Sequence, residues 1–323
     1  MARGSAEQRD LVAVDLVATD LDGTLLGSDG RISDRTCAAL ALTRRSGLRV
    51  IAVTGRPSTQ ARALTAGAGL DDLAVCANGA EICDMARGRS LRRDYLPLGA
   101  ARDLISRLRA SVPEAAVAWE DHRGQGGGGP VPGRVPAAVP AGPVAPAFPP
   151  GPVAKLLIRR RGLLAADLAA AVAAAAPAGL TVTWSTGETV EVLGPGVSKG
   201  AALARLARWL GISLDRVLAI GDGHNDLPML AIAGRAATVA NASAPVRAAA
   251  GLIAASNDED GVAQLLEQLA AGRPATAARA IRAGLDGRDT KGASRQWRYD
   301  SGSSGAARWS PRATPRPCAK PAT

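Results

Sequence analysis

Two aspartates, Asp20 and Asp22, follow an apolar segment near the start of the chain, in the sequence LVAVDLVATDLDGTLL from Leu11 to Leu26. The apolar run is rich in β-branched residues, which predicts a buried parallel strand with both carboxylates on the loop at its carboxyl end. Residues two apart on an extended chain point the same way, so both side chains can face one small site. Such carboxylates remain ionised together only when a cation lies between them; otherwise one takes a proton. Taken alone, the segment also fits a strand followed by an ordinary turn.

Three further polar groups lie at or beside the ends of apolar segments. They are Thr54 with Gly55 in LRVIAVTGR, Lys199 in SKGAALARLARWLGI, and Asp222 with Asn225 and Asp226 in RVLAIGDGHNDLPML. Asp20, Asp22 and Asp222 would be costly together without a hard cation, and oxygen ligands favour Mg²⁺, which also takes a substrate phosphate. A lysine and a hydroxyl nearby suit an anionic substrate, so the residues predict phosphate chemistry.

The segments between these groups predict an α/β fold with a doubly wound, Rossmann-like parallel sheet. Three apolar runs, each ending in polar residues, are separated by helical patterns at 33–47 and 58–69. Strands that alternate with helices in this way are typical of parallel sheets. Two further apolar runs, in RVLAIGDG and GRAATVANA, are expected to add strands to the same sheet.

The predicted domain organisation is discontinuous. A catalytic core comprises residues 11–83 and 197–271, and residues 84–196 have strand and helix patterns of their own, which predict an inserted α/β cap domain. Within the cap, residues 123–152 contain eight Gly, nine Pro and no acidic residue, which predicts a disordered insertion because proline blocks helix and strand hydrogen bonding. Residues 272–323 are poor in large apolar side chains and predict a disordered basic tail.

The basic charge of the chain is concentrated in that tail. The net charge is +10, and the tail holds eleven Lys or Arg against three Asp, so the charge indicates little about the folded part. The chain has no apolar run long enough for a transmembrane helix, no signal-peptide core and no metal-ligand spacing among its four cysteines, which predicts a cytoplasmic protein with reduced thiols. His122, beside the Gly-rich stretch, is expected to be exposed.

Taken in order, DLDGT, VTGR, the lysine of SKG and GDGHND resemble the four motifs of the haloacid dehalogenase (HAD) superfamily of phosphohydrolases. Further details resemble its Cof-type branch: NGA at 78–80, the insert between the second and third motifs, VANAS at 239–243 and SNDEDGVAQLL at 256–266. The resemblance extends from about Val12 to Leu269, apart from the Gly/Pro-rich insertion.

The resemblance implies covalent phosphoryl transfer. Asp20 would be the nucleophile that forms an aspartyl-phosphate, and Asp22 would protonate the leaving alcohol and then activate water. Mg²⁺ would be held by the side chain of Asp20, the backbone carbonyl of Asp22 and Asp222.

The resemblance also implies a phosphate-binding set. Thr54, the Gly55 amide, the backbone at Leu21 and the side chain of Asn225 would hold phosphoryl oxygens. Lys199 would offset negative charge on the nucleophile and the phosphate.

The roles of four other residues are less fully specified. Asp226 is expected to be an anchor that holds Lys199, and Asn78 is expected to support the first loop rather than contact substrate. Arg56 either contacts substrate or lies at the start of a helix. His224 occupies a free position of the fourth motif and is expected to be solvated or supporting.

The resulting hypothesis is a Mg²⁺-dependent phosphatase acting on small phosphomonoesters, such as sugar phosphates or related metabolites. A phosphomutase or phosphotransferase of the same superfamily is the alternative, because an aspartyl-phosphate can pass to an acceptor other than water. A protein that binds nucleic acid through Trp297, Tyr299 and Trp309 of the basic tail is a further alternative, which the completeness of the motifs disfavours. The sequence predicts no membrane partner and leaves the substrate and the oligomeric state open.

Overall fold

The structure is a computed structural model of the chain, and it describes residues 14–124, 126–127, 151–185, 187–273, 297–300 and 308–311. The chain forms two compact units, Met1–Ala275 and Thr276–Thr323. No helix within the described residues has both the length and the apolar character needed to cross a membrane.

The first unit contains thirteen strands and eight α-helices among its described residues. The strands are β1 (Leu16–Thr19), β2 (Arg49–Val53), β3 (Leu73–Cys76), β4 (Glu81–Asp84), β5 (Arg89–Arg93), β6 (Ala116–Glu120), β7 (Gly126–Gly127), β8 (Lys155–Arg159), β9 (Thr181–Trp184), β10 (Thr189–Leu193), β11 (Val217–Ile220), β12 (Arg235–Val239) and β13 (Leu252–Ala254). The helices are α1 (Asp34–Arg45), α2 (Ser58–Thr65), α3 (Leu98–Ser111), α4 (Ala165–Ala175), α5 (Lys199–Leu210), α6 (Leu227–Ile232), α7 (Ala244–Ala249) and α8 (Gly261–Ala271).

An eight-stranded sheet with the order β13-β12-β11-β1-β2-β3-β4-β5 forms the larger part of this unit. Its six neighbouring strands from β13 to β3 are parallel, which confirms the predicted parallel α/β fold. Every residue of β1 and β11 is buried, as expected of strands covered on both faces. The chain adds strands outward from β1 in one direction and from β11 in the other, which is the doubly wound arrangement.

The last two strands of this sheet depart from the parallel prediction. β4 pairs with β3 and β5 pairs with β4, both in antiparallel orientation. Only Ala77–Ala80 connects β3 to β4, and a parallel pair needs a crossover of about a dozen residues. The sheet therefore continues to Arg93, beyond position 83, where the sequence placed the end of the first core segment.

A second, antiparallel sheet has the order β7-β6-β8-β10-β9 and lies within residues 84–196. Helices α3 and α4 pack together, and their apolar residues share a core with Leu156, Ile158 and Val190 of the sheet. This core is distinct from the one around the larger sheet. These elements agree with an inserted α/β cap; its division from the core as a separate domain stays a prediction, because both sheets belong to one compact unit.

The chain passes between the two sheets at two adjacent places. Leu96 donates its amide to the Val153 carbonyl at 3.0 Å. A Cβ built on Gly194, in the return segment, would lie 2.7 Å from the carbonyl oxygen of Tyr95. The absence of a side chain at Gly194 therefore allows both connections to run side by side.

The insertion and the tail lie mostly outside the described residues. Of the predicted disordered insertion 123–152, Gly126–Gly127 pairs with β6, and positions 125 and 128–150 are not described. In the second unit, β14 (Trp297–Asp300) and β15 (Arg308–Pro311) form an antiparallel pair. Most of the tail from residue 274 onward lies outside the described residues, so its predicted disorder stays a prediction.

We expect Gly200→Ala to destabilise the protein by about 1–3 kcal/mol, because overpacking forces neighbouring backbone to move. A Cβ at Gly200, the second residue of α5, would lie 2.3 Å from the Pro228 carbonyl oxygen. Gly99 holds the same position in α3 and has no atom within 4 Å of its Cβ position, which makes Gly99→Ala the matched control. Urea unfolding at constant m-value measures both; equal stabilities of the two variants would contradict the packing argument.

Candidate active site

Loops from four neighbouring strands meet at one edge of the eight-stranded sheet. Asp20 follows β1, Thr54 follows β2, Asn78 lies two residues after β3, and Asp222 lies two residues after β11. Because these strands are adjacent and parallel, their carboxyl ends share that edge. The winding direction reverses between β1 and β11, which is where open α/β sheets form a ligand-binding crevice.

Lys199, the first residue of α5, is a buried cation between two carboxylates. Its Nζ donates to Asp20 Oδ1 at 2.7 Å and to Asp226 Oδ1 at 2.7 Å. Burial alone would lower the pKa of this lysine, but the charges of Asp20 and Asp226 more than offset burial, so the pKa lies above its ordinary value. The helix begins here because the Ser198 hydroxyl accepts a hydrogen bond from the Ala201 amide at 3.1 Å.

The second carboxylate oxygen of Asp226 orders the loop that follows β11. Asp226 Oδ2 accepts hydrogen bonds from the amides of Asp222 at 3.1 Å and Gly223 at 2.9 Å. A Cβ on Gly221 would lie 2.4 Å from Asp226 Cγ, so this approach requires glycine. Asp226 therefore positions both Lys199 and the loop.

Three carboxylates form a cluster that suits a metal ion. Asp20, Asp222 and Asp226 each have an oxygen within 4.8 Å of the others. Burial raises the pKa of Asp20, against the opposing charge of Lys199, and burial raises the pKa of Asp222 to about 6. Thr24 donates a hydrogen bond to Asp222 Oδ1 at 2.8 Å and leaves its other oxygen available. This concentration of negative charge on oxygen ligands fits a hard divalent cation.

Asp22, which the sequence placed in the metal set, has its carboxylate elsewhere. Arg56 Nε donates to Asp22 Oδ2 at 2.6 Å, and Arg56 Nη2 donates to Asp22 Oδ1 at 2.5 Å. Asp226 takes the third place in the carboxylate cluster. The sequence-based expectation for Asp22 was a backbone contact to the metal, and that contact stays a prediction. Arg56 lies two residues before the start of α2, and its side chain binds Asp22.

The structure divides the predicted phosphate-binding residues into two pairs. Those residues are Leu21, Thr54, Gly55 and Asn225. Gly55 and Asn225 line the cavity described below, whereas Leu21 and Thr54 are fully buried beside it. Asn78 connects the first pair, since its Oδ1 accepts a hydrogen bond from Asn225 Nδ2 at 3.0 Å and would lie 3.0 Å from a Cβ on Gly55. Asn78 therefore connects the loops after β2 and β11, and its predicted support of the first loop, after β1, stays a prediction.

A cavity of about 1020 Å³ lies between these loops and the antiparallel sheet. Its floor includes Asp20 and Asn225. Its roof includes Lys155, Leu157 and Arg159, which alternate along β8 and therefore share one face of that sheet. A cavity of this volume accommodates a small organic phosphate.

The roof contains a buried polar cluster that the sequence analysis missed. Lys155 Nζ donates to Glu191 Oε1 at 2.6 Å and to the Gly55 carbonyl at 2.9 Å. Glu191 Oε2 accepts from Asn78 Nδ2 at 2.7 Å. Glu120 Oε1 lies 3.5 Å from Lys155 Nζ. The only local signal was a lysine inside the apolar segment AKLLIRRR, and its partners are 35 or more residues away in the sequence.

A contact between two rings also connects the loop after β11 to the antiparallel sheet. The His224 ring stacks on Trp184 of β9 with ring centroids 3.5 Å apart and an interplanar angle of 12°. Thr183 Oγ1 lies 3.4 Å from His224 Nδ1. His224 therefore supports the contact between the fourth motif and the antiparallel sheet.

The expectation of an exposed His122 is wrong. The residue is 5% exposed, and its ring meets that of Tyr95 edge-on with centroids 4.7 Å apart. His122 lies two residues after the end of β6 and packs where the chain passes between the sheets. The Gly-rich sequence beside it gave no indication of that burial.

Comparison with known proteins agrees with this architecture. The sequence profile of the haloacid dehalogenase-like hydrolases matches residues 17–123 and 149–266. Pyridoxal phosphate phosphatase YbhA of Escherichia coli is 27% identical over 275 residues, which cover 78% of this chain and 97% of that protein. The 5-amino-6-(5-phospho-D-ribitylamino)uracil phosphatase YcsE of Bacillus subtilis is 27% identical over 274 residues, covering 80% of this chain and 97% of that protein.

Solved structures show the same fold. A haloacid dehalogenase-like hydrolase from B. subtilis superposes with a TM-score of 0.65 at 26% identity and covers 79% of this chain and 99% of that one. A sugar phosphatase of HAD subclass IIB superposes with a TM-score of 0.62 at 19% identity, covering 79% of this chain and 98% of that one. The chain belongs to the haloacid dehalogenase-like hydrolases and is a phosphatase of that type.

We expect Lys199→Met to lower the free energy of unfolding by about 3–5 kcal/mol in metal-free buffer, because it leaves Asp20 and Asp226 buried without their cation. Urea unfolding with a chelator present measures this loss. The control is Arg35→Met, which breaks an exposed ion pair with Glu267 and should cost less than about 1 kcal/mol. A Lys199→Met protein as stable as the control variant would contradict the structural role of the buried cation.

Proposed function

We propose that the protein is a Mg²⁺-dependent phosphatase that hydrolyses small phosphomonoesters through an aspartyl-phosphate on Asp20. The observation that carries this proposal is the bond from Lys199 to Asp20 within a carboxylate cluster on the floor of a roofed cavity. Lys199 holds one oxygen of Asp20 and opposes the effect of burial on its charge, which leaves the other oxygen to face the substrate.

In the first step, an Asp20 oxygen attacks phosphorus and the bond from phosphorus to the ester oxygen breaks. The leaving oxygen takes a proton from Asp22, and the product is an alcohol together with a phosphorylated Asp20. To deliver that proton, the Asp22 carboxyl must release Arg56, which now holds both of its oxygens. An incoming phosphate dianion offers Arg56 a competing acceptor and favours that release.

In the second step, water attacks the phosphoryl group on Asp20. Asp22 takes a proton from that water, the bond from phosphorus to the Asp20 oxygen breaks, and inorganic phosphate leaves. Lys199 stabilises the regenerated carboxylate. The chain needs no histidine or serine nucleophile for this sequence, because phosphoryl transfer depends mainly on positioning and charge.

Asp20 and Asp222 would hold the Mg²⁺, with Asp226 behind them occupied by Lys199 and two amides. When bound, the cation supplies charge stabilisation to the phosphoryl oxygens. The chain's own contribution is to orient the phosphate with the Gly55 amide and Asn225 and to exclude water with the roof.

Small phosphorylated metabolites are the proposed substrates, and sugar phosphates fit within this class. The relatives are named for pyridoxal phosphate, a phosphoribitylamino-uracil and HMP-PP, all small organic phosphates. A phosphomutase or phosphotransferase would share Asp20 and Asp22, and it would move phosphate to a second organic molecule rather than release it.

We expect Asp20→Asn to lower kcat by about 10³-fold or more, because it removes the nucleophile. The control is Asp15→Asn, which changes an aspartate at the opposite end of β1 that pairs with Arg216 and Arg273. Release of inorganic phosphate from p-nitrophenyl phosphate and from a panel of metabolites is the measurement. Turnover by Asp20→Asn equal to that of the control would exclude Asp20 as nucleophile, and loss of substrate without free phosphate would indicate transfer.

We expect a chelator to abolish activity and added Mg²⁺ to restore it, because the carboxylate cluster requires a cation to bring in a phosphate dianion. Mg²⁺ should also raise the melting temperature of the wild type by mass action, and it should do so much less for Asp222→Asn. Full activity in the chelator, with no Mg²⁺-dependent shift in melting temperature, would remove the metal from the proposal.

A further inference from the structure

We propose that Glu120, at the end of β6, determines specificity by accepting a hydrogen bond from a hydroxyl or amino group on the leaving group of the substrate. The site would then favour phosphomonoesters with a donor close to the phosphate over those with a carboxylate there. This inference rests on the proposed phosphatase function and concerns which esters that activity selects.

Glu120 is the incompletely bonded member of the roof cluster. Glu191 has both oxygens occupied, one by Lys155 and the other by Asn78 at 2.7 Å and Ser185 at 3.1 Å. Glu120 Oε1, in contrast, is buried and accepts no hydrogen bond from the described residues. A buried carboxylate oxygen without a hydrogen-bond donor is unfavourable, so a ligand that supplies a donor there binds more tightly.

Lys155 meets this demand only in part. Its ammonium donates to Glu191 at 2.6 Å and to the Gly55 carbonyl at 2.9 Å, and it forms an ion pair with Glu120 Oε1 at 3.5 Å, which is too long for a good hydrogen bond. Lys155 stands directly opposite Glu120 across the β6–β8 pair, so the strand register fixes this spacing. Burial raises the pKa of Glu120 despite Lys155, consistent with a carboxylate whose charge is only partly compensated.

The position of the cluster places it over the leaving group. Glu120, Lys155 and Glu191 line the same cavity as Asp20. Lys155 binds the carbonyl of Gly55, the residue whose amide is proposed to hold a phosphoryl oxygen. The atoms attached to the ester oxygen therefore enter the cavity below this cluster.

The charges around the cavity disfavour a carboxylate in that position. Six acidic and three basic residues line it. Each of the three cations already has an acidic partner: Arg56 pairs with Asp22, Lys155 with Glu191, and Arg159 with Glu188. Among the residues that the structure describes, the lining thus offers a second carboxylate no unpaired cation, whereas Glu120 would repel it.

The test uses four phosphomonoesters of nearly equal size, which are ethyl, 2-hydroxyethyl and 2-aminoethyl phosphate and phosphoglycolate. We measure kcat/KM for each with the full chain and Mg²⁺. The hydroxyethyl and aminoethyl esters should exceed ethyl phosphate by about 10-fold, the worth of one hydrogen bond to a charged acceptor, and phosphoglycolate should be the poorest substrate.

Glu120→Gln keeps the size of the side chain and removes its charge. It should reduce the ratio of kcat/KM for aminoethyl phosphate to that for phosphoglycolate by about 10-fold or more, with a smaller change for ethyl phosphate. The matched control is Glu114→Gln, a cap glutamate outside the cavity lining that pairs with Arg160 and should leave the ratio unchanged.

Three outcomes would overturn the inference. They are a wild type that hydrolyses phosphoglycolate as well as aminoethyl phosphate, a ratio that Glu120→Gln leaves unchanged, and a Glu114→Gln variant that changes the ratio equally. The first needs no variant, so it decides the matter even if Glu120→Gln fails to fold. Hydrolysis of none of the four esters, nor of the wider metabolite panel, would instead remove the phosphatase proposal itself.

Discussion

The rest of the active site depends on one buried ammonium group. Lys199 lies between Asp20 and Asp226, and all three side chains are almost completely withdrawn from solvent. Burying a charge costs several kcal/mol unless it is paired at close range, so the two carboxylates and the lysine stabilise the folded state only together. The pairing of these charges brings the ends of β1 and β11 and the start of α5 to one point, and the proposed catalytic chemistry uses the resulting geometry.

The two sheets contribute different parts of the site proposed for phosphoester hydrolysis. The parallel sheet presents the proposed nucleophile, the proposed metal ligands and the loops proposed to bind phosphate at one edge. The antiparallel sheet contributes the roof, where Lys155 and Glu191 bind Gly55 and Asn78 of the loops below. Because these contacts connect the roof to the phosphate-binding loops, the orientation of the roof and the order of the loops depend on each other.

Much of the fold could be predicted because its strands are simple in composition. The central strands are buried on both faces, so they are continuous apolar runs, and each ends in polar residues that mark the sheet edge. β5 was not predicted as a core strand because it is a half-exposed edge strand, RSLRR, with little apolar signal. Ser198 and the residues around Lys199 gave a helix start that the structure has at the same place.

The sequence by itself determined which polar residues lie at the edge of the sheet and which element each one follows, since strand ends and helix caps are local patterns. Only the tertiary structure decided how the side chains pair. Asp22 binds Arg56, Thr24 binds Asp222, and Glu120 faces a lysine already committed elsewhere. These pairings join residues up to 198 positions apart. They depend on strand order and register. The periodicity of a single segment does not specify either of these, so the pairings could not be predicted from the sequence.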